Sequence, residues 1–113
     1  MHLKRTNSTD PDFLILVNRL NEYLLQQYGG LQDFYSQFNK IDNIPTVVVI
    51  YQEEIPVACG CFKKWDERTV ELKRMFVADE YRGRGLGKAV VLELENWAAE
   101  IGYIRMVFEH GNR

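Results

Sequence analysis

A strand–loop–helix–strand pattern between residues 70 and 108 limits the fold more than any other part of this chain. Residues 70–77 are rich in apolar and branched side chains and predict a strand, as do residues 103–108. Between them, apolar side chains recur at steps of three and four residues, which predicts an amphipathic helix ending at Gly102. Two strands that are joined by a single helix lie parallel in a sheet. We therefore expect a mixed sheet flanked by helices, of the α/β class. The members of the helical stripe are Leu86, Val90, Leu94, Trp97 and Ile101.

The first half of the chain predicts the remaining elements of such a fold. Residues 1–9 indicate a short strand or extended segment, and Asp10 with Pro11 indicates the start of a helix that ends at Gly29 and Gly30. Strands are predicted over residues 46–51 and 56–62, with a bulge or a close approach at Gly60. Two apolar stripes are expected to pack in the core: Phe13, Val17, Leu20 and Leu24, then Leu31, Phe34, Tyr35 and Phe38.

Length and charge restrict the class of protein. The 113 residues correspond to one domain, residues 1–113, and the net charge of −2 disfavours a protein that binds nucleic acid. No apolar run approaches the roughly 20 residues that cross a membrane, and the polar first residues lack the apolar core of a signal peptide. Only two cysteines are present, so we expect a cytoplasmic protein in a reducing compartment.

A basic glycine-rich loop, residues 82–87, separates the predicted strand from the predicted helix. The first N–H groups of a helix lack partners, the helix dipole adds positive charge there, and glycine lets the backbone approach a ligand. These properties favour a site for a phosphate or pyrophosphate. The spacing fits neither a P-loop nor the dinucleotide fingerprint. The alternatives are a turn whose glycines only satisfy the backbone geometry and a flexible Arg-Gly segment that binds nucleic acid.

The spacing Arg82, Gly85, Gly87 resembles the Arg-x-x-Gly-x-Gly motif of the GNAT family of N-acetyltransferases. The preceding strand and the following helix are similar to that family as well, and the resemblance covers nearly the whole chain. It implies the acyl-CoA N-acyltransferase fold, with acetyl-CoA as cosubstrate and an amine as acceptor. In the family, the loop binds the CoA pyrophosphate and the preceding strand pairs with the pantetheine arm. The implied cofactor-binding residues are Met75, Phe76, Val77, Arg82, Gly83, Arg84, Gly85, Leu86, Gly87 and Lys88.

The resemblance also implies a catalytic base, Glu71, because some family members place a glutamate at this offset before the loop. The attacking amine must be neutral, so a base has a clear task. Val70 and Leu72 flank Glu71, and we expect apolar surroundings to raise the pKa of its carboxyl. The alternative is a structural glutamate that is solvated or paired with Lys73 or Arg74.

Other reactive side chains indicate packing rather than chemistry. Cys59 and Cys61 alternate along a predicted strand and are expected to pack as small apolar residues. His2 and His110 stand alone, so no metal site is expected. Tyr28 and Tyr35 lie where the family borders its acceptor site and are candidates to contact the acceptor.

The family pattern continues beyond the strand at residues 103–108 with a further helix and strands, which have no counterpart in this sequence. We therefore expect a fold truncated at its C-terminus, part of a longer domain or completed by a homodimer through the open edge of the last strand. The leading function is acetyl transfer from acetyl-CoA to a primary amine of a small molecule or protein, in a ternary complex. A non-catalytic CoA-binding or interaction module is the alternative, and the acceptor cannot be identified from the sequence.

Overall fold

The structure, a computed structural model, describes residues 1–27 and 43–108. The described elements comprise five strands and two α-helices. A short 3-10 helix, Asp79–Tyr81, follows the fourth strand. In chain order the elements are β1 His2–Thr6, α1 Pro11–Gln27, β2 Val47–Gln52, β3 Ile55–Lys64, β4 Thr69–Val77, α2 Leu86–Ile101 and β5 Arg105–Phe108.

The five strands form one sheet in the order in which they occur along the chain. Strands β1 to β4 pair antiparallel, and β5 pairs parallel to β4, from Thr69 with Arg105 to Leu72 with Phe108. The predicted mixed sheet and its parallel pair are therefore confirmed. Strand β5 begins two residues later than expected, at Arg105, and the N–H group of Ile104, just before it, donates to the Arg68 carbonyl.

Among the described residues, one helix covers each face of the sheet, which gives two hydrophobic cores. Phe13, Leu16 and Val17 of α1 pack on the face that carries Cys59 and Cys61. The other face packs against α2. Alternate residues of the central strands divide between the two cores, as the pleat of a strand requires. The α2 core contains Val48, Ile50, Val57, Ala58, Phe62, Val70, Leu72, Leu86, Val90, Leu94 and Ala98.

Helix α1 begins where the sequence predicts. The Asp10 carboxylate accepts a hydrogen bond of 2.8 Å from the N–H of Asp12, and Pro11 occupies the first helical position. The buried face includes Leu16 and Asn21, which the predicted stripe did not contain. The predicted end at Gly29 and Gly30, the second apolar stripe, Tyr28 and His110 lie outside the described residues.

Helix α2 has the predicted bounds but a slightly different buried stripe. Leu86, Val90 and Leu94 are buried as expected, and the next buried position is Ala98. Ile101, the last residue of the helix and expected in the stripe, is instead 55% exposed. Trp97 is half-buried and meets Phe62 edge to face, with ring centroids 6.1 Å apart.

Neither described helix combines the length and the apolar character needed to cross a membrane.

Candidate functional site

The glycine-rich loop between β4 and α2 depends on two left-handed backbone positions. Gly83 has φ 81° and Gly85 has φ 79°, conformations that residues with a side chain rarely adopt. A β-carbon at either position would meet no atom within 4 Å. The need for glycine at both positions therefore comes from the backbone itself, and the space in front of them is open.

The backbone N–H groups of the loop are available to a ligand. Gly85 precedes α2 without a side-chain cap, and the first turn of α2 contains no acidic residue. Within residues 1–27 and 43–108, none of the N–H groups of residues 83–88 donates to a backbone or side-chain oxygen of the chain. Unpaired N–H groups and an uncompensated helix dipole at one open position are the requirements for binding an anion.

Three basic side chains surround this loop, and they do not point the same way. Arg84 stacks on the Tyr81 ring, with its guanidinium carbon 5.1 Å from the ring centroid, and Lys88 is exposed on the first turn of α2. Arg82 turns back toward the protein, where its Nε donates to the Val77 carbonyl at 3.1 Å and its Nη2 lies 3.2 Å from the Asp79 carboxylate.

Strand β4 carries an irregularity just before the predicted cofactor-binding segment. The β3–β4 register shifts between Cys59 and Cys61, which pair with Phe76 and Lys73, so β4 contains one extra residue. Arg74, inside this interval, has φ 58°. The sequence interpretation expected a bulge or a close approach at Gly60, and the structure shows the close approach at Gly60 with the extra residue on β4 opposite it.

The segment 75–77 divides its side chains between the two faces of the sheet. Met75 and Val77 pack partly buried against the α2 core, and Phe76 is buried in the α1 core. The ladder between β4 and β5 runs to the pair Leu72 and Phe108, and Phe108 is the last residue that the structure describes. Residues 75–77 end β4, and residues 82–88 follow after the short 3-10 helix Asp79–Tyr81.

Glu71 is half-buried in β4, opposite Lys63 of β3 and Val107 of β5. Its sequence neighbours Val70 and Leu72 are buried in the α2 core. Side chains alternate along a strand, so Glu71 lies on the other face, and the expectation that these two residues surround its carboxylate is wrong.

The two cysteines are structural, as predicted. Both are fully buried, and their thiols donate to the carbonyls of Arg74 and Lys73, each at 3.4 Å, which ties β3 to the irregular part of β4. Burial, and secondarily the neighbouring Cys61, raises the pKa of the Cys59 thiol, so this side chain stays neutral and is a poor nucleophile.

Two residues of α1 approach the site and were missed at the sequence level. The Arg19 guanidinium carbon lies 5.6 Å from the Phe76 ring centroid, and the Tyr23 ring lies 5.6 Å from the Arg82 guanidinium carbon. Both residues are off the apolar stripe of the helix. Their spacing of four residues, which places them on one side of α1, was the available signal.

No group of three or more His, Cys, Asp or Glu side chains that could hold a metal ion occurs in the described part of the chain. His2 lies beside Tyr51, with ring centroids 5.9 Å apart, at the far edge of the sheet from the loop.

Solved structures share this fold over almost the whole chain at low sequence identity. A protein assigned as an acyl-CoA N-acyltransferase from Klebsiella pneumoniae is 21% identical, with TM-score 0.74, covering 98% of this chain and 72% of that one. A ribosomal-protein-alanine N-acetyltransferase from Brucella melitensis is 19% identical, with TM-score 0.69 and coverages of 98% and 80%. A predicted acetyltransferase from Clostridium acetobutylicum, solved with acetyl-CoA, is 15% identical, with TM-score 0.65 and coverages of 98% and 81%.

Comparison with curated proteins finds no match. The sequence model of the acetyltransferase (GNAT) family, in contrast, matches residues 12–113. That range includes β4, the glycine-rich loop and α2, which together form the candidate site. This chain belongs to the GNAT acetyltransferase family.

Proposed function

We propose that this protein transfers an acetyl group from acetyl-CoA to a primary amine, by direct attack of the amine in a ternary complex. Membership of the family supports acyl transfer in general. The observation that carries the proposal for this chain is the open loop at residues 83–88, whose N–H groups have no partner among the described residues and include those of the first turn of α2. A pyrophosphate satisfies those donors, and the charges of Arg84 and Lys88 add to its attraction.

The residues of this chain fit CoA along two segments. The loop takes the pyrophosphate, and Gly83 and Gly85 keep the approach free of side chains. The backbone of residues 75–77, in the last part of β4, pairs with the amide groups of the pantetheine arm. Acetyl-CoA supplies the thioester, an activated acetyl group with a thiolate leaving group.

The protein must then keep the amine neutral and stabilise charge that develops on the acetyl oxygen. We assign the first task to Glu71, whose carboxylate takes the proton that the amine loses as its nitrogen bonds to the acetyl carbon. The carbon–sulfur bond then breaks, and CoA leaves as a thiolate that takes up a proton from solvent. A backbone N–H of β4 next to the thioester serves the second task, because a fixed donor in a site shielded from water stabilises an oxyanion more than water does. The acceptor is defined here only as a primary amine.

The first test is calorimetry with CoA, followed by measurement of thiol release from acetyl-CoA with a panel of primary amines. CoA binding together with amine-dependent thiol release supports the transferase. Binding with no thiol release over a broad panel favours the non-catalytic CoA-binding module. A chain that is folded and does not bind CoA refutes both functions.

A further inference from the structure

The Arg82 guanidinium is engaged by groups of the protein on its edge and on its face. Its Nε donates to the Val77 carbonyl at 3.1 Å, its Nη2 lies 3.2 Å from Asp79, and its carbon lies 5.6 Å from the centroid of the Tyr23 ring. Val77 ends β4 and Tyr23 belongs to α1. One side chain therefore connects the glycine-rich loop to the strand before it and to the helix on the opposite face of the sheet from α2.

A second contact joins the same helix to the same region. Arg19, one turn before Tyr23, places its guanidinium over the Phe76 ring at 5.6 Å and has a nitrogen 3.6 Å from the Glu80 carboxylate. The two contacts are reciprocal, because α1 contributes the cation to one and the aromatic ring to the other. Exposed contacts of this kind are individually weak, so their effect is to fix a position rather than to hold the fold together.

Arg84 also stacks on a tyrosine ring, but it lacks the polar contacts of Arg82. Within residues 1–27 and 43–108 it has no carboxylate partner and no hydrogen bond to the chain, and only its stacking on Tyr81 orients it. Its guanidinium donors are therefore available to an anion, and the Arg82 donors that face Val77 and Asp79 are not. The loop thus contains two arginines with different environments.

We propose that Arg82 is a positioning residue: it sets the glycine-rich loop against β4 and α1, and the charge that attracts the pyrophosphate comes from Arg84 and Lys88. This inference rests on the proposed function. It also makes α1 a determinant of CoA affinity, since a displacement of Tyr23 moves the side chain that holds the loop.

Three substitutions at residue 82 separate positioning from direct phosphate binding. In Arg82→Gln the amide nitrogen occupies the place of the arginine Nε, so the bond to the Val77 carbonyl is kept and the charge is lost. Arg82→Lys keeps the charge and loses that donor, and Arg82→Met loses both. A positioning role predicts that Gln stays within about threefold of wild-type CoA affinity while Lys and Met lose about tenfold. Direct phosphate binding predicts the opposite order, because a lysine ammonium binds phosphate as a point charge.

Arg84 provides the internal contrast. Arg84→Lys is expected to retain CoA affinity and Arg84→Gln to lose it, the reverse of the order at residue 82. Tyr23→Leu is expected to weaken CoA binding by about two- to threefold with Arg82 present, and not to weaken it further in the Arg82→Gln background, where the stacking is already lost. Arg68→Met, on the exposed β3–β4 turn, is the matched control.

The measurements are calorimetric Kd values for CoA, with the unfolding temperature of each variant confirming that it is folded. Retention of affinity by Arg82→Lys together with its loss in Arg82→Gln overturns the inference alone, as does full additivity of the Tyr23 and Arg82 effects. A wild-type chain that does not bind CoA overturns the proposed function, and the inference with it.

Discussion

Gly60 and Met75 face each other across the β3–β4 pair so closely that a β-carbon at residue 60 would lie 2.5 Å from the methionine sulfur. The same β-carbon would lie 2.7 Å from a methyl carbon of Val90 and 3.2 Å from one of Leu94, both in α2. Because residue 60 has no side chain, residues of β4 and α2 pack into the space that a side chain would occupy.

Gly60→Ala is expected to destabilise the protein by about 1–3 kcal/mol, the usual range for overpacking in a filled core. Urea unfolding measures this as a lower midpoint at unchanged m-value. Adding Met75→Ala should recover part of the loss, because the sulfur is removed and the Val90 contact remains. An unchanged midpoint for Gly60→Ala would contradict the close approach.

Two of the loop glycines, Gly85 and Gly87, are expected to respond differently to alanine. Gly85→Ala should cost about 1–2 kcal/mol of stability, because its φ of 79° is left-handed. Gly87→Ala should instead raise stability by about 0.5–1 kcal/mol, because residue 87 is helical and its new β-carbon meets Val77 only at 3.6 Å. Both variants should weaken CoA binding, which calorimetry measures. Equal stabilities of the two variants would contradict the assigned backbone conformations.

The β2–β3 turn stores strain in two glutamates. Glu53 has φ 51° and Glu54 has φ 70°, which is the two-residue turn that Asn-Gly forms most readily. The double substitution E53N/E54G should raise the unfolding temperature by about 4–8 °C for each kcal/mol of strain relieved. The matched variant E53Q/E54Q removes the same charges without relieving φ, and an equal rise in that variant would assign the gain to charge.

Stability should fall on acidification through the Asp10 carboxylate. Burial raises the pKa of Asp10, but hydrogen bonds from Lys4, Thr6 and the Asp12 N–H together outweigh it and leave the pKa below its usual value. A carboxyl whose folded pKa is lowered stabilises the fold above its unfolded pKa, about 3.9, and loses that contribution as pH falls through the folded pKa.

Asp10→Asn keeps an oxygen that caps α1 and loses the ion pair with Lys4, whose nitrogen lies 2.7 Å from the carboxylate. We expect it to lower the free energy of unfolding at pH 7 and to lose this deficit below the folded pKa. Asp10→Ala also removes the cap and should keep a deficit of about 1 kcal/mol at every pH. Urea midpoints between neutral and acidic pH measure both. A constant deficit in the Asn variant would show that its charge is not what stabilises the helix start.

The regular elements of this protein could be predicted from the sequence because their signals are local. The bounds of α2 follow from its apolar spacing and from Gly85 and Gly102, which flank it. The glycine-rich loop was predictable for the same reason, since left-handed positions need glycine. The assignment of Ile101 to the core failed at the last turn, where the neighbours that decide burial come from elsewhere in the fold.

Features that are set by contacts between residues distant in sequence could not be predicted. The extra residue in β4 is set by its register against β3, and Arg74 adopts its left-handed conformation without any glycine in its own strand. The surroundings of Glu71 were misjudged because sequence neighbours were treated as spatial neighbours. The inward turn of Arg82 depends on Tyr23, which is distant in sequence and outside any motif.

The assignment of Glu71 as the base gives a prediction about pH rather than about the fold. Glu71→Gln preserves the shape of the side chain and removes its ability to accept a proton. With an amine acceptor in hand, we expect kcat/KM at neutral pH to fall by about 10²–10⁴ and the acidic limb of its pH profile to disappear. CoA affinity should stay at the wild-type value, because Glu71 lies in β4 and outside the loop to which we assign the pyrophosphate.

The control for this substitution is Glu67→Gln, an exposed glutamate of the β3–β4 turn that pairs with Lys64. It should leave the rate and its pH profile unchanged. A Glu71→Gln enzyme with wild-type kcat/KM across pH would exclude Glu71 as the base. In that case Glu71 is a structural residue of β4 opposite Lys63, the proton is accepted elsewhere, and the assignment of the CoA loop is unaffected.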